Sequence, residues 1–96
     1  AQGKYADARA LLERALAIDE VALDVDHSRT ITSRSWLADV YQKLGLYDKA
    51  FPLMEEVLAS SERVAGRSHP LTAGALSSLA GLLVGQVRTN QFVRVL

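Results

Sequence analysis

A chain of 96 residues has room for one small domain rather than two, and a domain of that size leaves much of its surface uncovered. Eleven basic side chains balance eleven acidic ones, so no net field draws the protein to nucleic acid, to an anionic membrane or to a polyanion. The lack of cysteine removes disulfides, a thiolate nucleophile and cysteine-ligated zinc, and apolar residues broken by charges are expected to leave no bilayer-spanning or secretory stretch. A soluble, cytoplasmic protein is the expectation.

The chain opens on Ala1-Gln2-Gly3 without an initiating Met, which reads as the end of a helix in an excised segment. A helix is then predicted over about residues 5–23, where Ala8, Leu11, Leu12, Ala15 and Leu16 follow the spacing that gathers apolar side chains on one helical face. The next covers about residues 28–44, with Leu37, Val40, Tyr41 and Leu44 as its stripe. Leu44-Gly45-Leu46 reads as a tight helix-to-helix turn, since glycine can take the left-handed conformation that ends a helix. A third helix over about residues 47–65 repeats the first stripe as Ala50, Leu53, Met54, Val57 and Leu58. Ser68-His69-Pro70 is a helix start, a polar cap before a proline whose missing N–H costs nothing in the first turn, and the fourth helix runs to about residue 85. No segment alternates with period two. The expected fold class is all-α, with short connectors folding the helices back as antiparallel pairs.

Gly3-Lys4-Tyr5-Ala6-Asp7-Ala8 lies over Gly45-Leu46-Tyr47-Asp48-Lys49-Ala50 at an offset of 42 residues. The same shift places Leu11 on Leu53, Glu13 on Glu55, Leu16 on Leu58, His27 on His69, Thr30 on Thr72, Leu37 on Leu79 and Ala38 on Ala80. A fixed period of this size means stacked supersecondary units, each burying its apolar face on its neighbours. The expected division is a half repeat over residues 1–26, a full repeat over 27–68 and an incomplete or degenerate repeat over 69–96.

These residues resemble the tetratricopeptide repeat in the long-period form of kinesin light chains. Leu37, Ala38 and Tyr41 stand in the family's Leu-Ala-x-x-Tyr segment, Gly45, Tyr47 and Ala50 in its Gly-x-Tyr-x-x-Ala segment, and Met54 and Leu58 in the following apolar helix, with His69-Pro70 and Thr72 closing the unit. Ser28 stands where the family usually has Pro. The likeness covers about residues 3–83 and implies an α-solenoid of about four helices that holds other proteins, with Ala38 and Ala50 kept small where helices touch. It is specific for fold and not for ligand. Many members carry Asn-Asn before the Leu-Ala pair, where this chain has Ser35-Trp36 and Ser77-Ser78, and the groove lysine and asparagine that hold a C-terminal carboxylate in some members are unmatched, Asp39 and Gly81 standing at the central position. After Leu83 the pattern fails.

The family geometry implies that the first helix of each pair lines a concave surface. The candidate contact set is Thr32, Ser35, Trp36, Asp39, Gln42, Lys43, Ser77 and Ser78, with Trp36 as the anchor. Arg34, where the family prefers an apolar residue, is expected to snorkel over core. His27 and His69 each open a helix one period apart, so the repeat accounts for both, and two histidines stacked along a solenoid lack a third ligand. With no glycine-rich phosphate loop, nucleophile motif or zinc-type His pair, the expectation is a non-enzyme without metal or cofactor. The expected function is a scaffold binding a peptide or helix of a partner protein. The alternatives are a structural, self-associating segment and a regulatory segment of a larger signalling protein or enzyme. Both terminal helices are expected to lack covering partners, leaving Leu11 and Leu12 on a partly open face and Val87, Phe92, Val93, Val95 and Leu96 without a polar capping face.

Overall fold

The computed structural model describes the backbone of residues 2–95 and the side chains of residues 3–91. Four helices follow one another: α1 (Gln2–Ala22), α2 (Ser28–Lys43), α3 (Tyr47–Ala65) and α4 (Pro70–Val95), and no strand occurs among the described residues. The all-α expectation holds. Each helix packs mainly on its neighbours in chain order, the nearest-neighbour arrangement of a solenoid.

The chain reverses after α2 because Gly45 takes a left-handed φ of 78°. Its N–H then donates to the Gln42 carbonyl at 3.0 Å and the Leu46 N–H to the Tyr41 carbonyl at 2.8 Å, satisfying carbonyls the helix end would leave bare. Gly66, with φ 88°, closes α3 in the same hand, which its bare sequence context did not announce. The helix starts also repeat. The His27 Nδ1 accepts from the Arg29 N–H at 3.1 Å, and the His69 Nδ1 accepts from the Leu71 N–H at 3.0 Å. Thr30 and Thr72 donate their hydroxyls to the Asp24 and Gly66 carbonyls, again one period apart. Both histidines are helix caps, so the loop chemistry recurs along with the apolar stripe.

Leu16, Ile31, Leu37, Ala38, Tyr41, Ala50, Met54, Val57, Ala75 and Leu82 form one continuous core. Ala38 and Ala50 are fully covered, at 1% and 0% exposure. A larger side chain at Ala50 would have to displace packed neighbours, whereas Ala38 also borders the hollow between α2 and α4.

Two expectations fail at α4. The helix does not stop at residue 85 but continues to Val95. Gly85 keeps an ordinary helical φ, and its missing Cβ serves packing instead: a Cβ there would lie 3.0 Å from the Tyr47 hydroxyl and 3.1 Å from its ring. Beyond it the described residues include no proline and no left-handed residue to end the helix. The side chains of Phe92, Val93, Val95 and Leu96, expected to form an uncapped apolar tail, lie outside the described residues. The second correction concerns charge. Pro70–Gln91 contains a single charged residue, Arg88, and is long and apolar enough by length and composition to cross a membrane. In this fold it packs on α3, burying Thr72, Ala75 and Leu82.

Candidate protein-binding groove

α2 and α4 are both packed on α3, and the space between them is concave. A hollow of about 460 Å³ has Ser35, Trp36, Asp39 and Gln42 of α2 on one side, Ser78 and Leu82 of α4 on the other, Ala8 and Leu12 of α1 at one edge and Met54 of α3 in its floor. A second hollow of about 350 Å³ adjoins it towards the start of both helices, where Ile31, Thr32, Ser35 and Trp36 face Pro70, Leu71, Gly74, Ala75 and Ser78. Ser35, Trp36 and Ser78 line both, so the two form one groove.

Six of the eight sequence-predicted residues meet there: Thr32, Ser35, Trp36, Asp39, Gln42 and Ser78. Helical periodicity brings them together, since the α2 members recur every three or four residues and so share one face. Lys43 and Ser77 line neither hollow. Lys43 is the last residue of α2, and Ser77 is turned about 100° from Ser78 around α4. Trp36 is 64% exposed, its ring outside the core. Asp39 is the one charged side chain on the groove walls, and it makes no ion pair among the described residues.

Arg34 corrects an expectation. Its side chain does not snorkel to solvent but ends buried where three helices meet, with Nη2 3.2 Å from Glu20 of α1 and Nη1 donating to the Val25 carbonyl. Its Nε lies 2.9 Å from Glu56 of α3, an ion pair by distance, yet the N–H is not aimed at the oxygen and makes no hydrogen bond. The arginine ties α1, α2 and α3 together and is no ligand contact.

The α1–α2 contact holds further polar ties that the sequence did not reveal. Buried Asp19 accepts from Ser33 at 2.9 Å and Arg29 at 3.1 Å. The Tyr41 hydroxyl donates to Glu13, and its ring lies within 5.5 Å of the Arg9 guanidinium and 5.9 Å of the Lys49 ammonium. A hollow of about 500 Å³ sits beside them between α1 and α3, over Leu16, Leu37 and Leu53, rimmed by Glu13, Glu20, Asp48 and Lys49. Its rim is drawn from separate helices of mixed charge, so no local motif marks it.

Residues 29–89 match the tetratricopeptide repeat family, and residues 1–29 match a second pattern of the same description. The chain is similar to the clustered mitochondria protein homolog of Meyerozyma guilliermondii, with 30% identity over 91 residues. That alignment takes in 95% of this chain and spans 7% of the relative's length. Stacked antiparallel helices, a recurring turn and cap chemistry and the family match over most of the chain lead to one assignment: this chain belongs to the tetratricopeptide repeat family, whose repeats generally mediate protein–protein interaction.

Proposed function

We propose that this chain is a protein-interaction module and that the groove between α2 and α4 takes an extended or helical segment of a partner, anchored on Trp36. The observation that carries this is a large aromatic side chain left 64% exposed on the wall of a concavity. An indole offers wide apolar contact at small conformational cost, and such residues dominate binding energy when a partner covers them. Ser35, Gln42 and Ser78 supply hydrogen-bonding groups around it. The 42-residue period and the His69-Pro70 loop support the kinesin-light-chain form of the repeat.

The test is a peptide-array screen with the native chain and with Trp36→Ala. Because the ring is outside the core, the variant is expected to keep the native helical dichroism and unfolding midpoint while its array signal falls at least tenfold. Equal binding by a folded Trp36→Ala protein would defeat the groove assignment.

A further inference from the structure

Pro52 lies inside α3, where a proline is unfavourable because it has no N–H to continue the helical ladder. The group it deprives is the carbonyl of Asp48, four residues earlier. Positions four apart share a helical face, and both residues line the hollow of about 500 Å³ between α1 and α3, so the freed carbonyl stands on its wall. The 42-residue register puts Ala10 of α1 where α3 has Pro52, so the break belongs to this helix and is no requirement of the repeat.

The hollow is bounded by α1, α2 and α3 alone, helices packed in succession, and it shares no lining residue with the groove between α2 and α4. Its floor is apolar, with Leu16 and Leu37 buried and Leu53 partly so. Its rim is rich in acceptors. Glu13 takes the donors of Tyr41 and Arg9 on Oε2, and Glu20 takes that of Arg34 on Oε2, so among the described residues Oε1 of each accepts none. Asp48 makes no ion pair among the described residues. Three carboxylates share the rim with one ammonium, that of Lys49, which lies 5.9 Å from the centroid of the Tyr41 ring. The Tyr41 bond, helped by Arg9, also holds the Glu13 carboxyl below its ordinary value and so keeps it charged.

These carboxylates do not converge on a point: among the described residues no three Asp, Glu or His side chains are gathered closely enough to hold a metal ion. Acceptors spread over two helices above an apolar floor suit a cation that is itself flat, extended and weakly hydrated. Guanidinium meets that description, with its N–H donors in a planar fork, whereas ammonium concentrates its charge at one strongly hydrated point.

We propose that this hollow is a second protein-binding site that seats an arginine of a partner segment, with the side-chain stem on Leu37 and Leu53 and the guanidinium between the α1 glutamates and the Asp48 carboxylate and carbonyl. Pro52 gives up a helical hydrogen bond and thereby offers the arginine a backbone acceptor.

Amide NMR shifts of the isotope-labelled chain, titrated with acetyl-Leu-Arg-Leu amide and with its citrulline and lysine forms, test this. The arginine probe is expected to move the amides of residues 13–20 and 48–53, with a dissociation constant on the order of 1 mM for one side chain on an open site. The citrulline form keeps the shape without the charge and should bind at least about tenfold more weakly, with the lysine form between. Asp48 and Pro52 are exposed, so Asp48→Asn and Pro52→Ala are expected to keep the native helical dichroism. Each should weaken the arginine probe at least about threefold, and Pro52→Ala should do so while raising the thermal midpoint, because alanine restores the N–H that the Asp48 carbonyl lacks. Trp36→Ala should leave this titration unchanged, which separates the site from the α2–α4 groove. An absence of shifts, or shifts centred on Trp36 and Asp39, overturns the proposal. So does equal binding of the citrulline or lysine form, and so does undiminished binding by Pro52→Ala.

Discussion

The Tyr41 hydroxyl donates to a Glu13 carboxylate oxygen at 2.6 Å, joining the core face of α2 to the exposed side of α1. The bond holds the Glu13 carboxyl below its ordinary value of 4.5, with Arg9 and Lys49 helping and burial opposing. Burial first, then Glu13, raises the Tyr41 phenol above 10.0. A carboxyl depressed in the folded state stabilises fully above its unfolded pKa, and that contribution is lost as pH falls through the folded value. Asp26, lowered first by its hydrogen bonds to Arg63, acts in the same direction. For Tyr41 the sign is opposite: the raised phenol stabilises below its unfolded pKa, and the contribution is lost as pH rises through the folded value. Tyr41→Phe is expected to cost about 1 kcal/mol at neutral pH, at the low end for a bond to a charged group because Glu13 is partly exposed and can rehydrate. Urea midpoints should show the cost shrinking once Glu13 is protonated.

Arg34 should be replaceable by an apolar residue but not by a small one. Glu20 and Glu56 are about half exposed and can return to water, whereas the guanidinium is buried. Arg34→Met is expected to change stability by less than about 1 kcal/mol, as when a buried ion pair gives way to a packed apolar side chain. Arg34→Ala adds a cavity and should cost about 2 kcal/mol or more. Denaturant titration of both variants checks the order.

Ala50→Leu or Ala38→Leu should destabilise by about 1–3 kcal/mol, because added methylenes at a fully covered position force neighbouring side chains off their rotamers. Ala80, the register copy of Ala38, is exposed, so Ala80→Leu should be close to neutral in a monomer. Thermal unfolding at low concentration separates the two sites.

His27→Ala and His69→Ala each remove a side-chain acceptor from a helix start. Each is expected to cost about 1 kcal/mol, and the double variant about the sum, since the caps share no partner. A marked departure from additivity in urea titrations would show that the two loops are coupled.

Asp39 is the one charge on the groove walls, so bound peptides should be enriched in Lys or Arg near the residue that meets Trp36. Asp39→Asn is expected to abolish that enrichment and the salt sensitivity of binding while leaving stability unchanged. An array probed with both proteins at two salt concentrations measures it.

The helices, their turn at Gly45 and the repeat were legible in the sequence because each is a local pattern, while the need for small residues at Ala38 and Ala50 came from the family resemblance. Apolar spacing fixes a helical face, glycine permits a left-handed turn, and a repeated pattern demands a repeated environment. The face shared by Thr32, Ser35, Trp36, Asp39 and Gln42 follows from the same periodicity. What lies across from that face does not: the joining of Ser78 but not Ser77 to it depends on how α4 is rotated against α3. Arg34 shows the limit most clearly, because only the meeting of Glu20, Val25 and Glu56 from separate segments makes a buried guanidinium tolerable. Gly85 is the reverse case. The fourth helix was expected to run only to about this residue, yet the Tyr47 ring packed against its backbone makes it a contact inside a longer helix, since glycine's lack of a side chain permits close approach. Sequence periodicity determined which faces had to be covered; tertiary packing decided which residues cover them, because those choices depend on distances between segments far apart in the chain.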